Sequence, residues 1–287
     1  MGDSRRDNLP GYAELQCVSN FTFLRGASHP HELVERATAL GYTALALTDE
    51  CSLAGIVRAH QAARECGLHL IVGSQFRLAD EKGGFSLILL AVNRNGYGNL
   101  CELITLARTR VEKGAYLLTQ QDLIDPPAGY AHLRAMPDCL AILGPKHGVE
   151  ADALREQAQW LQHAFPQRAW LGLTLLLHAQ DERHRSVVEQ VAAACAWPVV
   201  ATGDVCMHVR SRKPLQDTLT AVRLCKPLQK CGFALAPNAE QHLRARLRLG
   251  NLYPAHALAE TVRIAGPCRF SLDELRYEYP DELVPPG

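Results

Sequence analysis

Six short, largely apolar runs, each four to eight residues long, recur along the first two hundred residues of this chain. They are Ala44 to Leu47, Leu68 to Val72, Phe85 to Val92, Cys139 to Leu143, Trp170 to Leu177 and Pro198 to Ala201. Between them lie longer stretches with apolar residues at helical spacing: Leu53 to Cys66, Tyr97 to Arg110, Glu150 to Phe165 and Asp181 to Ala196. In Tyr97 to Arg110 the inward stripe is Leu100, Leu103, Ile104 and Ala107. Continuous apolar strands alternating with helices predict a parallel sheet covered on both faces. Seven or so such units predict an α/β fold of the (β/α) barrel type, with functional groups at the C-terminal strand ends. The first helix has a start signal, in which Ser28 is placed to cap, Pro30 enters the first turn, and Leu33, Val34 and Ala37 face inward. Asp125-Pro126-Pro127-Ala128-Gly129 breaks the rhythm and marks a loop.

The chain has 287 residues, enough for one large domain with a well-covered core. Its 30 basic and 30 acidic side chains cancel, so overall charge does not announce a nucleic-acid partner. The charge is unevenly placed, however. His208 to Arg248 carries nine cations (Arg210, Arg212, Lys213, Arg223, Lys226, Lys230, Arg244, Arg246 and Arg248) against Asp217 and Glu240, a net +7. Leu249 to Gly287 reverses the sign, with six acids against three arginines. Arg210, Arg212, Lys213, Arg223, Lys226 and Lys230 are the candidates for salt-sensitive contact with a DNA backbone. Solvated helix faces would explain the same charges. Arg244, Arg246 and Arg248 alternate across an expected helix, and Phe233 is the lone ring among these cations, which speaks against single-strand stacking.

No apolar run approaches the ~18 residues of a membrane span. Residues 1 to 11 read as a disordered lead-in without the apolar core of a signal peptide. Ten cysteines with no Cys-x-x-Cys pair read as reduced, mostly buried thiols of a cytoplasmic protein. Residues 271 to 287, closing Tyr277-Glu278-Tyr279-Pro280 and Val284-Pro285-Pro286-Gly287, read as a linker toward a further domain. There is no Gly-x-Ser-x-Gly, phosphate loop or dinucleotide fingerprint.

Four segments stand at expected strand ends: Leu15-Gln16-Cys17-Val18-Ser19, Leu47-Thr48-Asp49-Glu50, Gly73-Ser74-Gln75, and Thr202-Gly203-Asp204-Val205-Cys206. In order and framing they resemble the metal-binding motifs of the polymerase and histidinol phosphatase (PHP) domain. There the same places read Leu-His-x-His-Ser, Thr-Asp-His, Gly-x-Glu and Asn-Asp-x-His. Ser19 to Pro30, Ala46 to His60, Leu89 to Leu100 and Arg212 to Thr220 are similar to the bacterial C-family polymerase alpha-type subunits. Arg25, where the replicative branch has an aspartate, points to their error-prone, translesion branch.

The resemblance implies a distorted (β/α)7 PHP barrel over residues 12 to 270, including the basic segment 208 to 248, followed by the linker toward a polymerase palm. Carried across residue by residue, the paired histidines become Gln16 and Val18, and the second motif keeps Asp49 but has Glu50 for histidine. The bridging glutamate becomes Gln75, a histidine at the head of the next strand becomes Ser86, and a Cys or His falls near Pro145. The last motif keeps Asp204 and has Cys206 for histidine. Such sites activate water on two or three metals. Valine ligates nothing and glutamine poorly replaces a bridging carboxylate, so no catalytic residue and no metal is expected, nor any cofactor. If one ion persists, its ligands would be Asp49, Glu50, Asp204 and Cys206. None of the twelve histidines stands at a motif position; His29, His31, His178 and His184 are expected in solvent, and His208 is the nearest to a motif.

The function implied is a non-catalytic scaffold of a damage-induced, error-prone polymerase. Its partners would be the polymerase core of the same chain, DNA, and translesion and clamp proteins met through the parent, with no membrane. Mg2+ would serve the parent polymerase, a nucleotidyltransferase in DNA repair and replication under the SOS response. Two alternatives stand beside this. One is a residual metal-dependent phosphoesterase or 3'-5' exonuclease; the other is a DNA- or partner-binding module through residues 208 to 248.

Overall fold

The computed structural model describes residues 9–78 and 84–275. The expected lead-in from Met1 to Asn8 and the expected linker beyond Leu275 lie outside the described residues. Seven strands follow in chain order: β1 (Ala13–Glu14), β2 (Ala44–Leu47), β3 (His69–Leu78), β4 (Phe85–Ala91), β5 (Cys139–Gly144), β6 (Ala169–Thr174) and β7 (Val199–Thr202). They form one sheet in that order. Helices intervene as α1 (Pro30–Ala39), α2 (Ile56–Cys66), α3 (Arg94–Thr109), the single turn α4 (Gln121–Ile124), α5 (Ala151–Ala164) and α6 (Asp181–Cys195). After β7 come α7 (Lys213–Arg223), α8 (Arg246–Leu252) and α9 (Ala255–Ala265). Among the described residues no helix is long and apolar enough to cross a membrane.

The sheet is not wholly parallel. β4 runs antiparallel to both β3 and β5, while the other pairs are parallel. β3 and β4 are joined by a short connection, whereas a parallel neighbour needs a crossover of a dozen or more residues. The apolar pattern of Phe85 to Ala91 is the same for either direction, because burial on both faces leaves no polarity to read. One consequence bears on the site: the first residues of β4, rather than its last, stand at the mouth.

Strand alternation divides the core in two. Leu45, Leu47, Val72, Leu87, Leu89 and Leu171 belong to a large cluster shared with the helices, outside the sheet. The alternate set (Ala44, Ala46, Ile71, Ile88, Ile142 and Val200 among them) fills the inside, and Ile264, Ala265 and Cys268 join it from the end of α9.

Closure depends on the pairing of β1 with β7. Beyond the named strands, Cys17 bridges Val205 in parallel; the Val18 amide donates to the Val205 carbonyl at 2.8 Å and the Val205 amide to the Gln16 carbonyl at 2.9 Å. On the N-terminal side of this stitch, away from the mouth, the seam is polar. Buried Glu14 accepts from the amides of Gln16 (2.9 Å) and Gly203 (3.0 Å) and from the Tyr12 hydroxyl (2.8 Å). Gly203 is needed there, since a Cβ would run into the Glu14 carboxylate. α9 covers the seam, with Thr261 Oγ1 accepting from the Ala13 amide at 3.1 Å.

The segment after β7 is not uniformly a solvated helix face, and Arg244 lies outside the helix expected across Arg244, Arg246 and Arg248. Arg244 is 2% exposed and precedes α8. Its guanidinium donates to the Leu175 carbonyl at 2.8 Å and the Tyr253 hydroxyl at 3.1 Å, and the Tyr42 hydroxyl donates to its carbonyl at 2.7 Å. Buried Glu240 takes Arg248 at 2.8 Å and Arg210 at 3.7 Å. Ser28 does not cap α1; His29 stands at the cap position, its amide donating to Glu32 at 2.8 Å. The Ser28 hydroxyl is instead bonded to His208 at 2.8 Å, since the loop returning from β7 offers that imidazole. Past Phe270, a capped turn at Leu272–Glu274 is seated on α2, where Asp273 meets Arg64 and His60 at 3.3 Å.

Candidate functional site at the barrel mouth

A cavity of about 680 Å³ opens where the sheet's strand ends converge. Gln16, Gln75, Ser86, Pro145 and Asp204 line it; Val18 and Cys206 line an adjoining cavity that shares Gln75 and Asp204. Residues up to 188 positions apart thereby meet: the Gln16 amide nitrogen donates to Asp204 Oδ1 at 3.2 Å and to Gln75 Oε1 at 3.4 Å. Ser86 reaches the mouth because β4 starts there, paired with Arg77 and Gly144.

Asp49, at the end of β2, is 1% exposed. Its Oδ1 accepts from the Ser19 amide and the Thr22 hydroxyl, both at 2.7 Å, and its Oδ2 accepts from the Ser19 hydroxyl at 2.8 Å. These donors tie the loop after β1 onto β2. Burial raises the Asp49 carboxyl above the usual range, and the Thr22 and Ser19 bonds oppose that rise. Glu50 accepts from the Tyr116 hydroxyl at 2.8 Å and lies 3.4 Å from Arg25 and 3.5 Å from Arg77. Asp204 adopts a left-handed backbone, φ 44°, which a short polar side chain tolerates better than most. Its Oδ2 accepts from the Gln241 amide at 2.7 Å. Burial raises the Asp204 carboxyl; the Gln241 bond and the positive charges of Arg77 and Arg25 pull it back.

The side chains at these nine positions do not fit a cluster of two or three metals. Val18 packs with Ala27, Cys206 and Met207. Both Asp49 oxygens are filled by hydroxyl and amide donors. The Cys206 thiol is held protonated, raised by burial and by Asp204 beside it, whereas a ligand must be thiolate. Two guanidinium groups, Arg25 and Arg77, supply fixed positive charge beside Glu50 where metal cations would otherwise balance acids. The four residual donors Asp49, Glu50, Asp204 and Cys206 do not form a group with all ligand atoms within 4.8 Å, among the described residues.

A different group does: His147, after β5, with His178 and Asp181 before and at the start of α6. His147 Nε2 and Asp181 Oδ1 are 3.1 Å apart, and the His147 and His178 rings are centred 5.1 Å apart. His184, one turn along α6, stacks on His147 at 4.2 Å with ring planes 13° apart. The expectation of exposure fails here: His178 is half-buried and His184 only 3% exposed, because α6 turns His184 under the loop that carries His147. Burial lowers His147, and lowers His184 to about 4, so the His184 ring is neutral at pH 7. The sequence offers a faint signal for this group, His-x-x-Asp-x-x-His over residues 178 to 184, but His147 joins it only through the fold.

His208, the histidine nearest a motif, is bound to Ser28 rather than aimed at these cavities. Among the candidate DNA contacts, Arg210 leans on Glu240, Arg212 is paired with Glu32 and Lys213 with Asp217. Arg223, Lys226 and Lys230 are exposed, with no ion pair among the described residues, and Phe233 beside them is fully exposed.

Residues 14–194 match the PHP domain. The chain belongs to this family. The matched span ends before Asp204, yet the PHP fold carries that residue into the same mouth as Gln16 and Gln75. The chain is 62% identical over 281 residues to an error-prone DNA polymerase of Bordetella parapertussis, covering 97% of this chain and 27% of that protein. A counterpart from Ralstonia nicotianae is 55% identical over 285 residues, at 97% and 26% coverage. The chain therefore spans about a quarter of the length of these relatives. A solved amidohydrolase from Chromobacterium violaceum superposes with a TM-score of 0.52 at 14% identity, over 69% of this chain and 88% of that one, which shows a shared fold.

Proposed function

We propose that this PHP domain is a non-catalytic scaffold within an error-prone DNA polymerase that carries out damage-induced translesion synthesis in the cytoplasm. The observation that carries the reading is Asp49. It is one of two positions that keep the family's usual residue, and both its oxygens accept bonds from Ser19 and Thr22, which commits it to fastening a loop. Similarity along nearly the whole chain to error-prone DNA polymerases supports the parent assignment. On this reading the principal partner is the polymerase core of the same chain, and Mg2+ belongs to the nucleotidyl transfer of that core. Translesion and clamp proteins are met through the parent.

The test is hydrolysis of a labelled single-stranded oligonucleotide and of a phosphomonoester by the purified chain with Mn2+ or Zn2+. Turnover is expected to be indistinguishable between the wild type and the Asp49→Ala and Asp204→Ala variants. Metal-dependent hydrolysis abolished in both variants overturns the reading in favour of a phosphoesterase or exonuclease.

A second reading, contact with DNA, is favoured by the three exposed cations Arg223, Lys226 and Lys230. Fluorescence anisotropy with a duplex at several salt concentrations tests it. Replacing all three by glutamate is expected to flatten log K against log salt by roughly 2 to 3. An unchanged slope removes the reading.

A further inference from the structure

We propose that His147, His178 and Asp181 form a binding site for one divalent transition-metal ion of the zinc type, on the rim of the mouth and separate from the family motif positions. Two imidazoles and one carboxylate suit zinc, cobalt or nickel, whereas magnesium and calcium prefer sites made of oxygen atoms. The geometry supports one shared ion. The three ligand atoms lie within 4.8 Å of one another; a tetrahedral ion with bonds of about 2.0 to 2.2 Å sets its ligands roughly 3.3 to 3.6 Å apart, so binding draws these side chains together by about an ångström. The three are held by two elements packed together: the loop after β5 brings His147, and the start of α6 brings Asp181 with His178 just before it.

Independent of that spacing, the surroundings contain polar groups that the protein leaves unanswered. Asp181 Oδ2 is buried with no hydrogen-bond partner, while Oδ1 holds His147. His184, 3% exposed, lies flat against the His147 ring with neither nitrogen bonded. A buried carboxylate oxygen without a donor is rare in folded proteins and calls for an explanation such as an absent ion or water. Here the open oxygen belongs to the same carboxylate that faces two imidazoles. The stacked His184 ring fixes the plane of His147, the orienting role that neighbours of metal ligands commonly have. His147 Nε2 and Asp181 share a proton in the metal-free arrangement; a dication takes the place of that proton between them, and the His147 proton moves to its other nitrogen. Three protein ligands leave a fourth position for water, and His147 also lines the 680 Å³ cavity with Asp204.

This inference does not depend on the scaffold reading, because it uses none of the nine motif positions. Metal-stripped full chain is titrated with Zn2+ by calorimetry and with Co2+ by visible absorption. The expected result is one ion per chain, with Co2+ bands of a low-symmetry four- or five-coordinate site. Binding is expected to weaken at least about 100-fold in His147→Ala and about tenfold in Asp181→Asn, and to be unchanged in Asp49→Ala. Should His147→Ala fail to fold by circular dichroism, His178→Gln, on a half-buried loop residue, gives the same reading. The proposal is overturned if the wild type binds no stoichiometric ion. It is equally overturned if the affinity is unchanged in both Asp181→Asn and His178→Gln, or is lost in an Asp49→Ala protein that circular dichroism shows to be folded.

Discussion

Two sectors of the barrel differ in how far their polar groups are answered, although Gln16 Oε1 and Glu50 Oε2 in the motif sector also lack a hydrogen bond, Glu50 Oε2 having only the Arg25 guanidinium at 3.4 Å. Around Asp49 and Glu50, hydroxyls, amides and guanidinium groups surround the carboxylates, and the loop after β1 is anchored as a result. Around Asp181 and His184, at the start of α6, a carboxylate oxygen and two ring nitrogens are buried without a partner. The first sector sits where the PHP motifs stand, and there Asp49 is bonded to the loop after β1. The second sits where no motif points, and it keeps the capacity to bind. A family's motif positions and a chain's available ligands are therefore separate properties.

The comparison breaks most readily at Asp49. Asp49→Ala strands the Ser19 amide and two hydroxyls, and is expected to lower unfolding free energy by about 3 kcal/mol, read by urea titration. Asp49→Asn keeps an acceptor and sheds a charge that burial disfavours, so it is expected to cost less. A cost under about 1 kcal/mol for the alanine variant would show that the filled sector holds nothing together.

In the second sector the sign is expected to reverse. His184→Phe keeps the stacked ring against His147 and removes two unanswered nitrogens. Metal-free protein carrying it is expected to be as stable as wild type or more so by about 1 kcal/mol, because the desolvation penalty disappears. A loss comparable to Asp49→Ala would mean that His184 has a partner and the two sectors are alike.

Glu14 sharpens the contrast through pH. It is buried in the seam and burial raises its carboxyl, so its folded value lies above its unfolded one. The folded state then binds the extra proton: stability from this group is full below the unfolded value near 4.5 and is lost as pH rises through the folded value. Relative to wild type, Glu14→Gln is expected to gain stability progressively from pH 5 to 8 in thermal melts. A constant difference across that range would show that Glu14 is ionised throughout. The smallest effect belongs to the exposed cations, where charge reversal at Arg223, Lys226 and Lys230 is expected to change stability by less than about 0.5 kcal/mol.

Much of this molecule was legible before any coordinates. Periodicity gave six of the seven strands and the helices α1, α2, α3, α5 and α6, though it stopped β3 at Val72, and the four motif segments lie at one mouth, because strand ends in such a barrel converge whatever side chains they carry. The direction of β4 was hidden, since a strand buried on both faces has no alternation to betray it. The burial of Arg244 was hidden too: nothing local distinguishes an arginine that meets Leu175 and Tyr253 from one facing water.

The sequence by itself determined the family, the barrel and the residue types Gln16, Val18 and Gln75 at the strand ends, because these follow from residue type at positions set by local pattern. Tertiary structure alone decided what the surviving acids do and which histidines meet. Asp49 is committed by Ser19 and Thr22 on a loop about thirty residues away. His147 reaches His178 and Asp181 only because β5 and β6 are neighbours and α6 packs beside the loop after β5. Such pairings depend on contacts between distant segments, and a one-dimensional pattern carries no record of those distances.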